Sequence, residues 1–274
     1  MWLLSSDLSF ILQNSGWLFK KARMENRIPI LNIRVDTFTE KEFLDIFEEG
    51  VLVTPNVDHL MKLQHDREFY DIYNKADYVT VDSKIVKMAL GFLGTPIREI
   101  IPGSGFFPSY YMHHKNNEAV KIFLLGAAPG IADIAMEKIN RKVGRNIVVG
   151  AHSPSFGFEK KPEESEEIIR IINATPATVL VVGVGAPKQE KWIYKYKDQL
   201  PGIKIYLAIG ATIDFEAEKV KRAPVIMQKL ALEWLYRLLK EPKRLWRRYI
   251  IEDMPFFWLI LKQRLGLYKN PFNS

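Results

Sequence analysis

The most chemically suggestive stretch of the sequence is Val182-Gly183-Val184-Gly185-Ala186-Pro187-Lys188-Gln189-Glu190-Lys191-Trp192. Glycines let a backbone approach a phosphate, Pro187 is suited to a helix start, and free amides at a helix N-terminus favour an anion. The stretch matches neither common phosphate fingerprint. Lys188 stands where a third glycine would complete Gly-x-Gly-x-x-Gly, and no Gly-Lys-Ser/Thr is present. Asp82 follows the apolar run at 78–81 directly; there it can take a proton from a hydroxyl group or cap the helical run behind it. Thr54, Asn56 and Gln189 carry side chains suited to phosphate or sugar, and equally to turns and caps. Asp214, in Gly-Ala-Thr-Ile-Asp-Phe, is placed to reach a nucleotide or to serve as a structural group at a cleft edge. There is no Asp-x-Asp, and His59, His65, His113, His114 and His152 show neither metal-ligand spacing nor a triad-like context. No metal site and no cofactor is expected.

These residues need a scaffold that brings them together. From Ile28 onward, apolar β-branched runs alternate with helical patterns, which predicts an α/β fold: a Rossmann-like, mostly parallel sheet with helices on both faces. Strands are expected over residues 51–54, 78–81, 121–125, 179–183 and 204–209, with a further one at 147–151. Helices are expected over 131–143, 163–173 and 188–197. In such a sheet a ligand sits beyond the carboxyl ends of the strands. The loops to inspect are therefore Thr54-Pro55-Asn56, Asp82-Ser83, 126–130 (opening with Gly126), 185–189 and 210–214. Taken singly each is also an ordinary turn; together they describe a nucleotide-sized cleft.

Composition narrows the classes. The chain has 274 residues, 47% hydrophobic and 26% charged, and no cysteine, which excludes disulfides, thiolate metal sites and cysteine redox chemistry. The net charge of +7 is local: residues 235–274 hold nine Lys/Arg against three Asp/Glu, leaving 30 basic against 29 acidic groups elsewhere. That pattern argues against a nucleic-acid-binding domain. Residues 1–25 read as a short amphipathic extension, with the Lys20-Lys21 pair behind the apolar part, the wrong order for a signal peptide. The longest unbroken apolar run, 254–261, is far short of the roughly 20 residues that span a bilayer. The expected organisation is an extension at 1–25, a catalytic α/β domain at 26–226 and a basic, aromatic helical appendage at 227–274.

Several ordered motifs together resemble the bacterial WecG/TagA/CpsF glycosyltransferase family. They are Gly185-Ala-Pro-Lys-Gln-Glu-Lys-Trp192, Val220-Lys-Arg-Ala-Pro224 and Glu233-Trp-Leu-Tyr-Arg-Leu-Leu-Lys-Glu-Pro-Lys-Arg244, preceded by Thr54-Pro-Asn56 and the Asp82 loop. The resemblance runs over about residues 28–249. It implies metal-independent, inverting transfer of a sugar (N-acetylmannosamine-type, uronate or hexose) from a UDP donor. The acceptor would be an undecaprenyl-diphosphate-linked amino sugar in cell-surface polysaccharide or teichoic acid synthesis. In that family Asp82 matches the proposed catalytic aspartate, and Arg237, Arg244 and Arg247 match arginines that the terminal appendage brings to the diphosphate. Arginine suits that task because its planar fork binds two phosphate oxygens and stays charged. Two positions depart from the family pattern: Gly105 stands where an acid usually ends a Gly-x-Asp, and Ser83 stands where glycine usually follows the aspartate. Both bear on donor identity more than on reaction type.

The appendage interleaves Lys243, Arg244, Arg247 and Arg248 with Trp246, followed by Phe-Phe-Trp-Leu-Ile-Leu at 256–261. Such a helix suits an anionic bilayer interface, or alternatively packs on the domain. The first reading places the protein peripherally on the cytoplasmic face of the bacterial membrane, with the inner leaflet as a partner and Arg237 brought over the cleft on docking. The two apolar termini could also bury against a second copy, giving a homo-oligomer. Two other classes stay in view: a nucleotide-cofactor oxidoreductase, against which the missing Gly-x-Gly-x-x-Gly counts, and a non-catalytic peripheral membrane module.

Overall fold

The computed structural model describes residues 27–219, 223–224, 226–227 and 232–273, with the Arg244 side chain excepted. The expected extension at 1–25 and part of the 220–224 motif lie outside the described residues. The described residues open with an antiparallel hairpin, β1 (Ile28–Ile30) and β2 (Ile33–Val35), that the alternating pattern did not distinguish from the parallel units. Then come α1 (Glu40–Ile46), β3 (Gly50–Val53), α2 (Val57–Lys62), α3 (Arg67–Lys75), β4 (Tyr78–Val79), α4 (Lys84–Phe92) and α5 (Gly103–His113). The next units are β5 (Ile122–Gly126), α6 (Ile131–Val143), β6 (Val148–His152), α7 (Pro162–Asn173), β7 (Val179–Gly183), α8 (Lys188–Tyr196), β8 (Ile205–Ala208) and α9 (Thr212–Glu216). Beyond the undescribed positions lie α10 (Glu233–Lys240), α11 (Pro242–Arg247), a π-helical turn (Arg248–Glu252) and α12 (Pro255–Arg264).

Strands β3 to β8 form one parallel six-stranded sheet in the order β4-β3-β8-β7-β5-β6. Successive strand residues point to opposite faces. Accordingly Val53, Val79, Phe123, Leu125, Leu180 and Val182 enter one core, and Leu52, Tyr78, Ile122, Leu124, Val179 and Val181 the other. The first core is covered by α2, α3, α4, α7, α8 and α12, the second by α1, α5, α6 and α9. A strand buried on both faces has to be apolar throughout, which explains the near-continuous runs at 122–125 and 179–182.

The exposed edge at β4 is closed by the hairpin. Asp36 N donates to Val79 O at 2.9 Å and Val79 N donates to the Asp36 carboxylate at 2.7 Å. Arg27 pairs with the same carboxylate at 2.8 Å, both side chains being buried. This stitching occupies edge groups that would otherwise invite another strand.

The C-terminal stretch is partly integrated into the domain. Phe256 and Ile260 of α12 are buried in the first core, and full burial of such side chains contributes about 2 kcal/mol each. Gln263 Oε1 accepts from Leu31 N at 2.7 Å, Tyr268 Oη donates to Gln64 at 2.7 Å, and Phe272 packs on Tyr70 with ring centres 5.0 Å apart. Elsewhere on α12 Phe257 and Trp258 are exposed, as is Leu265 just beyond its end. The helix thus carries two apolar faces, one docked on the domain and one open. No described helix is long and apolar enough to cross a membrane.

Candidate active site

Asp82 is set by the ends of three elements. Its backbone N donates to Pro55 O at 3.1 Å, tying the loop after β4 to the loop after β3. Its carboxylate accepts from the Asn56 side chain and from Gly103 N, at the first turn of α5. Asn56 is oriented by its other atom: it caps α2, with Oδ1 accepting from His59 N at 3.1 Å. The cap reading and the site reading of Asn56 are therefore both realised by one side chain. Gly103 can stand where it does because it lacks Cβ, which would lie 2.6 Å from the Ile209 side chain. For Asp82 the cap alternative falls, because Ser83 occupies the N-cap position of α4.

Asp82 lines a cavity of about 480 Å³ together with Asn56, Ser83, Ser104 and Phe215 from the strand-end loops and helices. The rest of the lining comes largely from the C-terminal segment: Glu233, Trp234 and Arg237 of α10, Arg248, Tyr249 and Asp253 around the π turn, and Phe257 of α12. Arg237 stacks its guanidinium 5.7 Å above the Phe215 ring. Removal from water pushes the Asp82 carboxyl up to about 6; Glu233 adds to the rise, while Arg237 and the two hydrogen bonds oppose it. A carboxylate of that kind is deprotonated at neutral pH yet basic enough to take a proton, and the cation across from it can meet an anionic leaving group.

The roof is fastened by an ion cluster the sequence did not disclose. Asp58 is buried, accepts from Lys62 at 2.8 Å and forms an ion pair with Arg248 at 3.1 Å. Lys62 also donates to Ala186 O at 3.2 Å, reaching the glycine-rich loop. Asp253, 4.0 Å from Arg248, is raised to about 7 by burial and by Asp58.

The other predicted residues divide. Thr54 is buried at the end of β3. Gln189 is buried and bridges two loops, its Oε1 accepting from Gly185 N at 3.2 Å and Gly210 N at 3.1 Å and its Nε2 donating to Glu190. That is the turn role anticipated as the alternative. Glu190 is fully buried and raised to about 7 by burial. Gly126, at φ +138°, packs against the neighbouring strand end, where an added Cβ would meet Gly183 O at 2.5 Å. Gly185 has φ +84°. Lys188 pairs with Glu159 at 3.3 Å and lies 4.7 Å over the Phe156 ring. Asp214 is half-buried, and burial raises its carboxyl. Arg247 is exposed and pairs with Glu252 at 3.2 Å, whereas the next residue, Arg248, lines the cavity. The Arg244 side chain lies outside the described residues. Of the ten predicted positions whose side chains are described, Asp82, Asn56 and Arg237 line the cavity.

Sequence reasoning missed Asp58, Glu233, Trp234, Arg248, Tyr249 and Asp253 as cavity residues. Glu233 and Trp234 were within reach, standing in the same motif as Arg237. For Arg248 no signal existed, because the π turn sets its helical phase. The departure at Ser83 lies on the cavity wall; Gly105 is outside that lining, and an added Cβ there would meet only Pro102 Cγ, at 3.5 Å. Among the described residues no group of three or more His, Asp or Glu side chains is placed to hold a metal ion.

The parallel α/β sheet thus brings a carboxylate, Asp82, and a guanidinium, Arg237, into the lining of one strand-end cavity. A model of the glycosyl transferase WecG/TagA/CpsF family matches residues 28–270, and the chain belongs to that family. It is a glycosyltransferase family, so a nucleotide-sugar donor and an acceptor are implied at that level.

Proposed function

We propose that the protein transfers a sugar from a UDP donor to a polyprenyl-diphosphate-linked amino sugar, with inversion at the anomeric carbon. The observation that carries this reading is the presence of Asp82, raised to about 6, and Arg237 in the lining of one cavity, where Arg237 acts on the Asp82 carboxyl through its charge. Asp82 takes the proton from the acceptor hydroxyl, whose oxygen forms the new bond to the anomeric carbon as the bond to the diphosphate breaks. Arg237 meets the charge left on the departing UDP. This uses the protein's own groups for both tasks and assigns no step to a cofactor.

The membrane part of the reading is supported by the exposed apolar residues Trp246, Ile250, Ile251, Met254 and Trp258, set among Lys243, Arg247 and Lys262. Such a surface fits an anionic leaflet with aromatic rings at headgroup depth. The acceptor's lipid would then bring its head group to the cavity from the side that α10 to α12 roof.

The test is to incubate the protein, in chelator, with a panel of UDP-sugars and a short-chain prenyl-diphosphate-GlcNAc and to weigh the product. A single sugar addition, lost in Asp82→Asn, is the expected outcome. Failure of every UDP-sugar to give an adduct, or full activity in the variant, overturns the reading. Liposome binding is tested by replacing Trp246, Ile250 and Trp258 with serine, because deleting the whole segment would also uncover Phe256 and Ile260. Retained binding to anionic vesicles by that variant removes the membrane assignment.

A further inference from the structure

Asp58 is a buried carboxylate to which the transfer chemistry gives no task. It follows Asn56 by two residues in the first turn of α2, so it is fixed to the same helix start that orients Asp82. On its own helix it holds Lys62, which also donates to Ala186 O. Its other cation comes from far along the chain: Arg248, 3.1 Å away, belongs to the π turn of the C-terminal segment. His59, Tyr73, Glu190 and Asp253 also feel the Asp58 charge.

Arg248 has two carboxylates to choose from. Asp253, on its own segment, lies 4.0 Å away, and both Asp253 Oδ1 and Arg248 Nε are buried without a hydrogen-bond partner. The tighter contact is the one that crosses to the domain, and the local alternative is left unmade. A buried ion pair adds little net stability over apolar packing; its best-attested use is to fix which surfaces meet.

From Arg248 the contact passes to the cavity. Tyr249, the next residue, sets its ring edge-on against Trp234 of α10, with centres 6.0 Å apart. Glu233, beside Trp234, and Arg237, one turn further on, both act by charge on Asp82. The core contacts of Phe256 and Ile260 hold α12, on the other side of the π turn from α10.

We propose that Asp58 is a positioning residue: by gripping Arg248 it latches the C-terminal segment over the cavity and sets where Glu233 and Arg237 stand relative to Asp82. It touches no reacting atom. Its bearing on turnover rests on the transfer reading, whereas the latch itself does not.

The test is a carbon-13 NMR titration of the aspartate carboxyls in the full chain, with the Asp82 signal identified by its loss in Asp82→Asn. Burial and Glu233, which raise Asp82, are both larger influences than Arg237, which lowers it. Lifting α10 should therefore bring the Asp82 midpoint down from near 6 toward its ordinary 3.8. Asp58→Asn and Arg248→Gln remove opposite charges, so through space alone they would move Asp82 in opposite directions. Released from a latch, Asp82 moves the same way in both: about one unit down, with amide exchange over 233–252 about tenfold faster and exchange in β5 and β7 unchanged. Opposite shifts, an unmoved midpoint or parent exchange rates over 233–252 overturn the proposal. Arg248, whose side chain is 30% exposed, carries the test alone if Asp58→Asn does not fold, and an upward shift in Arg248→Gln then overturns it. Turnover in both variants is expected to fall about tenfold. A parent protein that moves no sugar overturns the transfer reading and leaves the midpoint and the exchange rates to decide the latch.

Discussion

The Asp82 cavity and the glycine-rich ends of β5, β7 and β8 lie at the carboxyl edge of one sheet, yet they employ their residues in opposite ways. Around Asp82 the side chains are charged, partly withdrawn from water and held by partners from distant parts of the chain: Asn56, Gly103, Glu233 and Arg237. Around β5, β7 and β8 the close approaches are made by backbone. Gly126 touches Gly183, an added Cβ on Gly183 would lie 2.6 Å from Gly210 O, and Gln189 ties Gly185 to Gly210. The first region alters protonation and charge, and the second brings strand ends close together. The difference teaches that glycine spacing alone marks close packing at least as well as it marks a phosphate.

Substitutions can separate the two regions. The largest effect is expected from Asp82→Asn, which removes the proposed base: turnover should fall about 10²–10⁴-fold with UDP affinity near the parent's, as single-turnover assays and titration would show. The same variant reports the cost of holding Asp82 ionised. Because its folded pKa, about 6, lies above its ordinary value of 3.8, the contribution of Asp82 to stability is fullest below pH 4 and is lost as pH rises through 6. Thermal unfolding should therefore favour the variant over the parent more at pH 8 than at pH 4. If the difference is flat with pH, Asp82 is not the perturbed group.

Arg237→Ala comes next. Loss of the cation opposite the leaving group should lower kcat about 10²-fold. It should also move the acidic limb of the kcat/KM profile above pH 6, because Arg237 holds the Asp82 pKa down. A profile that stays in place would separate Arg237 from Asp82. At the end of β5, Gly126→Ala forces a Cβ against Gly183 O at a φ of +138° and should cost about 1–3 kcal/mol of stability in denaturant unfolding. Its acidic limb should remain near pH 6. The smallest effect belongs to Glu233→Gln: removing a like charge should shift that limb to lower pH with little change in the maximal rate. A shift upward would mean that Glu233 does not repel Asp82 in the working enzyme.

Much of the scaffold is legible along the chain because it repeats a local rule. The helix at 131–143 is found at the expected bounds, and the strands at 122–126, 148–152 and 179–183 lie within a residue or so of expectation. Apolar runs flanked by glycine need no long-range information. The hairpin at 28–35 was less visible, since three-residue strands fall below any period. Within the site, Asp82 could be picked because it directly ends a strand, and Arg237 because it stands in a recognisable motif. Asp58 and Arg248, 190 positions apart, had no such cue, and neither did the turn of helical phase that points Arg248 rather than Arg247 into the cavity.

The sequence by itself determined the parallel α/β sheet, the family and the basic, aromatic character of the C-terminal segment, because periodicity, motif order and charge are properties of neighbours along the chain. Only the tertiary structure decided which polar groups work together. It put Asp82 under Glu233 and Arg237, turned Gln189 inward, and split the apolar C-terminal helix between a docked face and an open one. Those outcomes depend on which surfaces meet when the core closes, and desolvation and through-space charge arise only at that point.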